Sequence, residues 1–378
     1  MLSTFNQFLD LPEELINVII FFSENKVYDL CLVNKYFNNN SKKIKILSNK
    51  KYPKLTDEHL KELVNLTYLD LEFNQLLTNK CLKNLNNLTY LKIEQNDTII
   101  NDLSIKRLTN LTSLEINYTK MITHKGIKSL HKLKRLGIAG TDMNDESVKN
   151  LTLLTYLNIT RNNLITDQGL KNLSYLTSLH IAAIDNNITS VKNFTGLTLL
   201  NLHHNNKITD YEIKHLTNLT DIRLGYNNVI TNTGIKELTN ITSISLNSNS
   251  IITENGLRNL TNITHLDLAN NHNVSEKFLG KIKNLKSLNI ALENSITDKV
   301  LKKLTNITML DISANNVITD KGIKNLTNLT ELRVSENGSI TDHGIKFLTN
   351  LKKLYAYDNE EITDEIVKHL PKLQMIIR

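Results

Sequence analysis

Tryptophan is absent from this chain, and aromatic residues make up only 6% of it. A large core must therefore come from the leucines and isoleucines among the 40% of residues that are apolar. Cysteine is nearly absent too: Cys31 and Cys81 are the only two, and they lie far apart in the sequence. That excludes a disulfide framework and fits a reducing compartment. The three prolines, Pro12, Pro53 and Pro371, fall at the two ends, so none removes a backbone donor from a full repeat. Long apolar runs are also missing. The longest, Leu15 to Phe22, has one polar break, follows acidic residues and is too short to span a bilayer or serve as a signal peptide. An intracellular chain, cytoplasmic or nuclear and not secreted, is the expectation. The recurring Asn-Leu-Thr and Asn-Ile-Thr triplets are formal glycosylation sequons, expected to stay unmodified and to be there for the fold.

The formal net charge is +7, but the lysines are spread along the chain at surface-like positions. That is the pattern of a solvated surface, not of a nucleic-acid or membrane footprint. The denser run from Ser41 to Lys54 reads as an exposed junction or a nuclear signal.

What is present is one phrase, repeated. "ITDKGIKNLTNLTEL" runs from Ile318 to Leu332, and edited copies start at Ile208, Ile230, Ile252, Ile296 and Ile340. The Thr of the phrase, or its equivalent, falls at 56, 78, 101, 123, 144, 166, 189 and 209, then every 22 residues to 363. A period this strict predicts a solenoid of about fourteen full repeats over residues 56–378, with a truncated one at the end. Within a repeat, Leu332-x-Val334 alternates with the period of a short strand. Thr319 and Asp320 open a short helical turn from which Ile323 and Leu326, three apart, face inward. Strands stack about 4.8 Å apart and helical turns nearer 10 Å, so the stack must curve with its strands on the concave side.

The Leu329, Leu332, Val334 and Asn337 spacing resembles the leucine-rich repeat, and "ITDxGIxxL" resembles the convex side of repeats in F-box/leucine-rich-repeat proteins. The resemblance implies an α/β leucine-rich-repeat solenoid, with a parallel concave sheet and short convex helical turns. An Asn recurs at 74, 96, 162, 205, 227, 249, 271, 315, 337 and 359, and its amide is suited to pair backbone groups where each strand turns away. Thr119 and Thr141 stand in for it, while Ile184 and Glu293 interrupt the series.

Two columns of varied residues are expected on the concave face. One includes Asp70, Lys92, Glu115, Arg333 and Tyr355; the next includes Glu72, Glu94, His203, Gly225 and Tyr357. Free variation on a fixed frame is the pattern of a binding surface. Two clusters are the candidates for binding a target protein. In the middle stand Arg161, His180, His203, His204, Arg223 and Tyr226, beside a repeat shortened at Thr189. At the carboxyl end stand Arg333, Glu336, Tyr355, Tyr357 and Asp358, of which Tyr and Arg are typical interface anchors. The carboxyl end is favoured. His203 and His204, as neighbours on an extended segment, are expected to point apart, and no cysteine is near them to complete a metal site. No phosphate loop, no G-x-S-x-G and no converging carboxylate pair is present, so neither an enzyme nor a cofactor is expected.

The first residues break the period. Pro12 suits a first helical turn, and Glu13 and Glu14 suit its positive end. Leu15, Ile16, Ile19 and their neighbours then cover nearly the whole circumference of a helix, which needs burial on more than one side. "LPEEL" at Leu11 and "LVNKYF", Leu32 to Phe37, resemble the opening and closing of an F-box, with Phe37 where that family carries Trp. The Asn-rich style is similar to such proteins in giant DNA viruses of amoebae. The resemblance implies a small all-helical F-box-like domain over residues 1–45, then a junction and cap over 46–55. It also implies a Skp-type adaptor and a cullin as partners, held through Leu11, Pro12, Leu15, Ile16, Ile19, Leu32, Val33 and Phe37. The chain would then be a substrate-recognition subunit of a Skp–cullin–F-box ubiquitin ligase. The alternative is a repeat scaffold whose amino-terminal helices only cap the first repeat.

Overall fold

The computed structural model describes residues 45–48, 55–61, 63–72, 74, 76–94, 100–293 and 295–378. The F-box-like stretch, including Leu11 to Phe37, and Asn96 lie outside the described residues. The described residues fall into two compact units. The first runs to His180 and includes Asp185–Ile188; the second comprises Ile181–Ile184 and Thr189–Arg378.

Among the described residues the first unit has seven three-residue strands. These are β1 (Ile46–Ser48), β2 (Tyr68–Asp70), β3 (Tyr90–Lys92), β4 (Ser113–Glu115), β5 (Arg135–Gly137), β6 (Tyr156–Asn158) and β7 (Ser178–His180). Each pairs in parallel with the next, from Ile46 opposite Tyr68 to Tyr156 opposite Ser178. β1 lies inside the stretch read as junction and cap, so the ladder of strands begins one repeat before Thr78. The second unit has nine such strands: β8 (Leu199–Asn201), β9 (Asp221–Arg223), β10 (Ser243–Ser245), β11 (His265–Asp267), β12 (Ser287–Asn289), β13 (Met309–Asp311), β14 (Glu331–Arg333), β15 (Lys353–Tyr355) and β16 (Met375–Ile377). They too are parallel and paired in sequence order.

The middle residue of each strand is the one that enters the apolar core. Leu69, Leu91, Leu114 and Leu136 are completely buried, as are Leu288, Leu310, Leu332 and Leu354 in the second unit. The apolar residue two positions on, such as Ile138 or Val334, and those of the turn, such as Ile323 and Leu326, complete the stack. Full burial of each such side chain stabilises by about 1.5–3 kcal/mol.

The opposite side of each repeat carries a four-residue helix such as Asp320–Ile323. Thr319 caps it, its hydroxyl accepting from Lys321 N. The same hydroxyl donates to Asp298 Oδ2 of the preceding repeat at 2.7 Å, and Thr319 N donates to Asp298 Oδ1 at 2.9 Å. The Asp of one repeat thus holds the cap of the next, and the pattern recurs at Asp320 with Thr341 and at Asp102 with Thr123. The glycine of "DxG" follows from it. A Cβ on Gly322 would meet Asp298 Oδ1 at 2.3 Å.

The Asn series is buried as expected. Asn249 donates to Leu224 O at 3.0 Å and Asn227 O at 2.8 Å, and accepts from Ile251 N and Ile252 N. Thr119 and Thr141 bond the carbonyls of Ile116 and Ile138. The expected break at Ile184 needs correcting. Ile184 is 64% exposed, and Asn186 takes the ladder position, completely buried. Asn186 donates to Asn162 O and accepts from Ile188 N; it lies 24 residues after Asn162, two beyond the 22-residue period, and the short repeat follows it. Glu293 fills its own gap: it is completely buried, its Oε1 accepts from Ser295 N at 2.7 Å, and its carbonyl accepts from Asn315. Among the described residues no helix is long and apolar enough to cross a membrane.

Candidate functional site

Side chains alternate along a strand, so the residues before and after each buried Leu share the face away from the core. The burial pattern of β6, β12 and β13, with a buried centre and half-buried ends, shows this directly. The face therefore has three columns of varied residues. The first column, which includes Tyr68, Tyr90, Arg135, Tyr156, Glu331 and Lys353, was not among the residues expected to bind.

At the carboxyl end the structure brings Arg333 and Tyr355 together, with the guanidinium carbon 4.6 Å from the ring centroid. Arg333 Nε and Nη2 donate to Glu331 Oε1 at 3.1 and 2.8 Å, and Lys353 Nζ lies 3.5 Å from the other carboxylate oxygen. The hydrogen bond to Glu331 raises the Arg333 pKa further, against the desolvation that opposes it. The guanidinium is thus fixed before any partner arrives, which removes part of the ordering cost of binding. Tyr357 is 56% exposed beside it in sequence and shares the face. Glu336 and Asp358 sit at φ of 55° and 51°, and Glu336 N donates to Tyr357 O.

The six middle candidates divide between the two units. In the first, the His180 ring lies 5.2 Å from Tyr156, and Arg135 stacks 3.9 Å above the same tyrosine. Arg161 has φ of 56°. In the second, His203, His204 and Tyr226 form one aromatic group. His204 stacks on Tyr226 at 4.4 Å, and His203 meets both edge-on. The expected divergence of His203 and His204 is therefore wrong: their rings are 4.7 Å apart. His204 has φ of 58°, so the chain turns there and is not extended. Gly225 leaves space that His203 and Asn247 use, since a Cβ there would meet His203 Nδ1 at 2.4 Å and Asn247 Oδ1 at 2.0 Å. Burial, helped by the adjoining His204 and opposed by Asp267, lowers the His203 pKa. Arg223 lies 3.4 Å from Asp221.

The shortened repeat has a structural explanation. No helix follows Thr189, and Glu212 of the next repeat stands where the copies on either side of this pair carry Gly169 and Gly234. Its Oε2 accepts from Ser190 Oγ at 2.6 Å and from Val191 N at 3.0 Å. The carboxylate supplies the partners that the missing turn would have supplied. A Glu in the glycine position was the sequence signal for it.

No group of three His, Cys, Asp or Glu side chains suited to a metal occurs among the described residues. Cys81 is buried, and burial pushes its thiol up, away from reactivity.

A family model described as leucine-rich repeat matches residues 150–174, 215–239, 303–326 and 325–349. No match was found among curated proteins. Among solved structures, the chain is similar to an internalin (inlF) of Listeria monocytogenes at 26% identity and TM-score 0.52, over 80% of this chain and 90% of that one. It is similar to a leucine-rich-repeat protein of Leptospira interrogans at 22% identity and TM-score 0.53, covering 93% and 100%. A chain in the yeast complex of Rad7 and Elc1 matches at 18% identity and TM-score 0.53, covering 100% and 95%.

Proposed function

We propose, for a chain built of leucine-rich repeats, that the strand face captures a target protein and that the amino-terminal segment docks it on a Skp-type adaptor and cullin. The fold is a protein–protein interaction fold, and that much is independent of the amino-terminal segment. The observation that carries target capture is the Arg333 guanidinium, held by Glu331 over Tyr355 with Tyr357 exposed beside it. Aromatic and Arg residues fixed in this way are the usual anchors of interfaces. The middle group has less support as a binding site, because the short repeat beside it is accounted for by Glu212.

The adaptor reading is supported by the residues Leu11, Pro12, Leu32, Val33 and Phe37 in their F-box-like spacing. In this reading the chain is not an enzyme. It supplies proximity between a target and a ubiquitin-transferring assembly. The test is affinity purification of the full chain from cells. A Skp-type adaptor and a cullin should co-purify, and Leu11→Ala with Pro12→Ala should remove them. If the unmutated chain brings down neither, the ligase role fails and a binding scaffold remains.

A further inference from the structure

We infer that the second unit binds double-stranded nucleic acid, through its phosphates, along the flank where the chain returns from each helix to the next strand. The inference requires nothing of the strand face or of the amino-terminal segment.

Lysines that look scattered along the sequence are gathered here by strand register. The seven residues before each strand from β8 to β16 form nine returns, 192–198 to 368–374, repeating every 22 residues. Together the returns carry 13 Lys, one Arg and a single carboxylate, Glu237. The rest of residues 189–378 carries eight basic residues and 18 carboxylates. Charge is therefore segregated within the unit. Part of the cause is local: Lys214, Lys236, Lys302 and Lys324 follow the ends of their helices. At the opposite ends, Asp298, Asp320 and Asp342 hold the Thr caps of the next repeats. Helix ends do not account for Lys281, Lys283, Lys286, Lys303, Lys352 and Lys372, all of them exposed.

These cations are not neutralised by the chain. Among the described residues, Lys368 is the one cation of the flank within ion-pair distance of a carboxylate, Glu365. Lys372 Nζ and Arg258 Nη2 donate instead to the neutral amide oxygens of Asn350 and Asn255, each at 2.7 Å. The frame beneath them is fixed. Asn240 Nδ2 donates to Thr217 O at 2.9 Å and Thr330 Oγ1 to Thr308 O at 3.1 Å, each bonding to the preceding repeat. The composition then selects the partner. Among the described residues Phe347 is the one large apolar side chain exposed on the flank. A protein interface needs aromatic and Arg anchors, single strands need aromatic platforms, and a membrane needs apolar side chains to insert. A duplex needs none of these. Its phosphates supply one charge per about 1.7 Å of axis, which a row of lysines meets as point charges without exact register.

The experiment titrates the full chain against a labelled, mixed-sequence duplex of about two helical turns, as DNA and as RNA, read by anisotropy over a range of salt. Both should bind, and poly-glutamate and phosphatidylserine vesicles should bind more weakly. Lys281→Gln with Lys303→Gln should weaken duplex binding about tenfold. It should also lower the slope of log K against log salt by about two. Lys353→Gln with Arg378→Gln removes the same charge away from the flank and should leave that slope unchanged. Glu237→Gln should tighten binding about twofold, a direction that misfolding does not produce, whereas Glu361→Gln should not. Absent duplex binding, equal binding of poly-glutamate or vesicles, or equal effects of the two cation pairs would overturn the inference. So would loss of all duplex binding when Lys42, Lys43, Lys50, Lys51 and Lys54 are changed to Gln, because the basic run would then be the site. Tyr355→Ala with Tyr357→Ala should leave duplex binding unchanged, so failure here and failure of target capture at Arg333 are separate results.

Discussion

The amide of Asn227 bonds in two directions. Its nitrogen donates to Asn205 O in the preceding repeat, and its oxygen accepts from Val229 N and Ile230 N in its own. Asn227→Leu fits the volume and strands these groups, each at about 1–3 kcal/mol. Chemical denaturation should show that loss, whereas Lys236→Ala, on the exposed side, should stay within about 0.5 kcal/mol. Equal effects would mean that the amide is solvated. This role was legible in the sequence because one residue type recurs at one spacing. The position just before it was not. Tyr118, Arg161, His204, Tyr226, Ser248, Leu292 and Glu336 all have φ between 52° and 58° there, and only Gly140, Asn270 and Asp358 are residue types that favour that conformation. A backbone N–H bonded to the next repeat, as Leu292 N is to Ser313 O, imposes the turn on any side chain. Leu292 is 53% exposed, so Leu292→Gly loses little packing and relieves a conformation costing roughly 1–2 kcal/mol. It should be neutral or mildly stabilising in a melting experiment, whereas Leu292→Val should be destabilising.

At the scale of the element, the short helices reverse a common rule. Gly→Ala inside a helix usually stabilises by about 0.5–1 kcal/mol. Gly322→Ala should instead destabilise, because its Cβ displaces Asp298 from the cap of Thr319. Adding Asp298→Ala should recover part of the loss in a double-mutant cycle, and simple additivity would deny the contact. The sequence showed Thr319 and Asp320 as a helix start, but not that the Asp serves the following repeat, since periodicity cannot tell a contact within a repeat from one between repeats. The turn after β8 gives a pH prediction. His203 has a folded-state pKa below its ordinary 6.5, so the folded chain binds fewer protons than the unfolded one. Its contribution is present above that value and is lost as pH falls through it. Between about pH 7.5 and about pH 5.5 the unfolding midpoint should fall more steeply for the native chain than for His203→Gln. Parallel curves would mean that the ring is freely protonated.

At the scale of the molecule, the period fixed the fold class in advance, because six apolar positions per repeat admit few other arrangements. The binding face was only partly legible. Residues after the buried Leu were recognised as outward-facing, but those before it were not, and so Glu331, which holds Arg333, and the Tyr68–Tyr90 stack were missed. Register, which the strand pairing supplies, is what joins such residues across repeats. The central claim is that the second unit captures its target around Arg333, Tyr355 and Tyr357. Quantitative cross-linking mass spectrometry of the full chain in cells tests it most directly, comparing Tyr355→Ala with Tyr357→Ala against His203→Ala with Tyr226→Ala at matched stability. The account predicts that the first pair loses the cross-linked target while the second retains it. Loss from the second pair alone, or from neither, would contradict it.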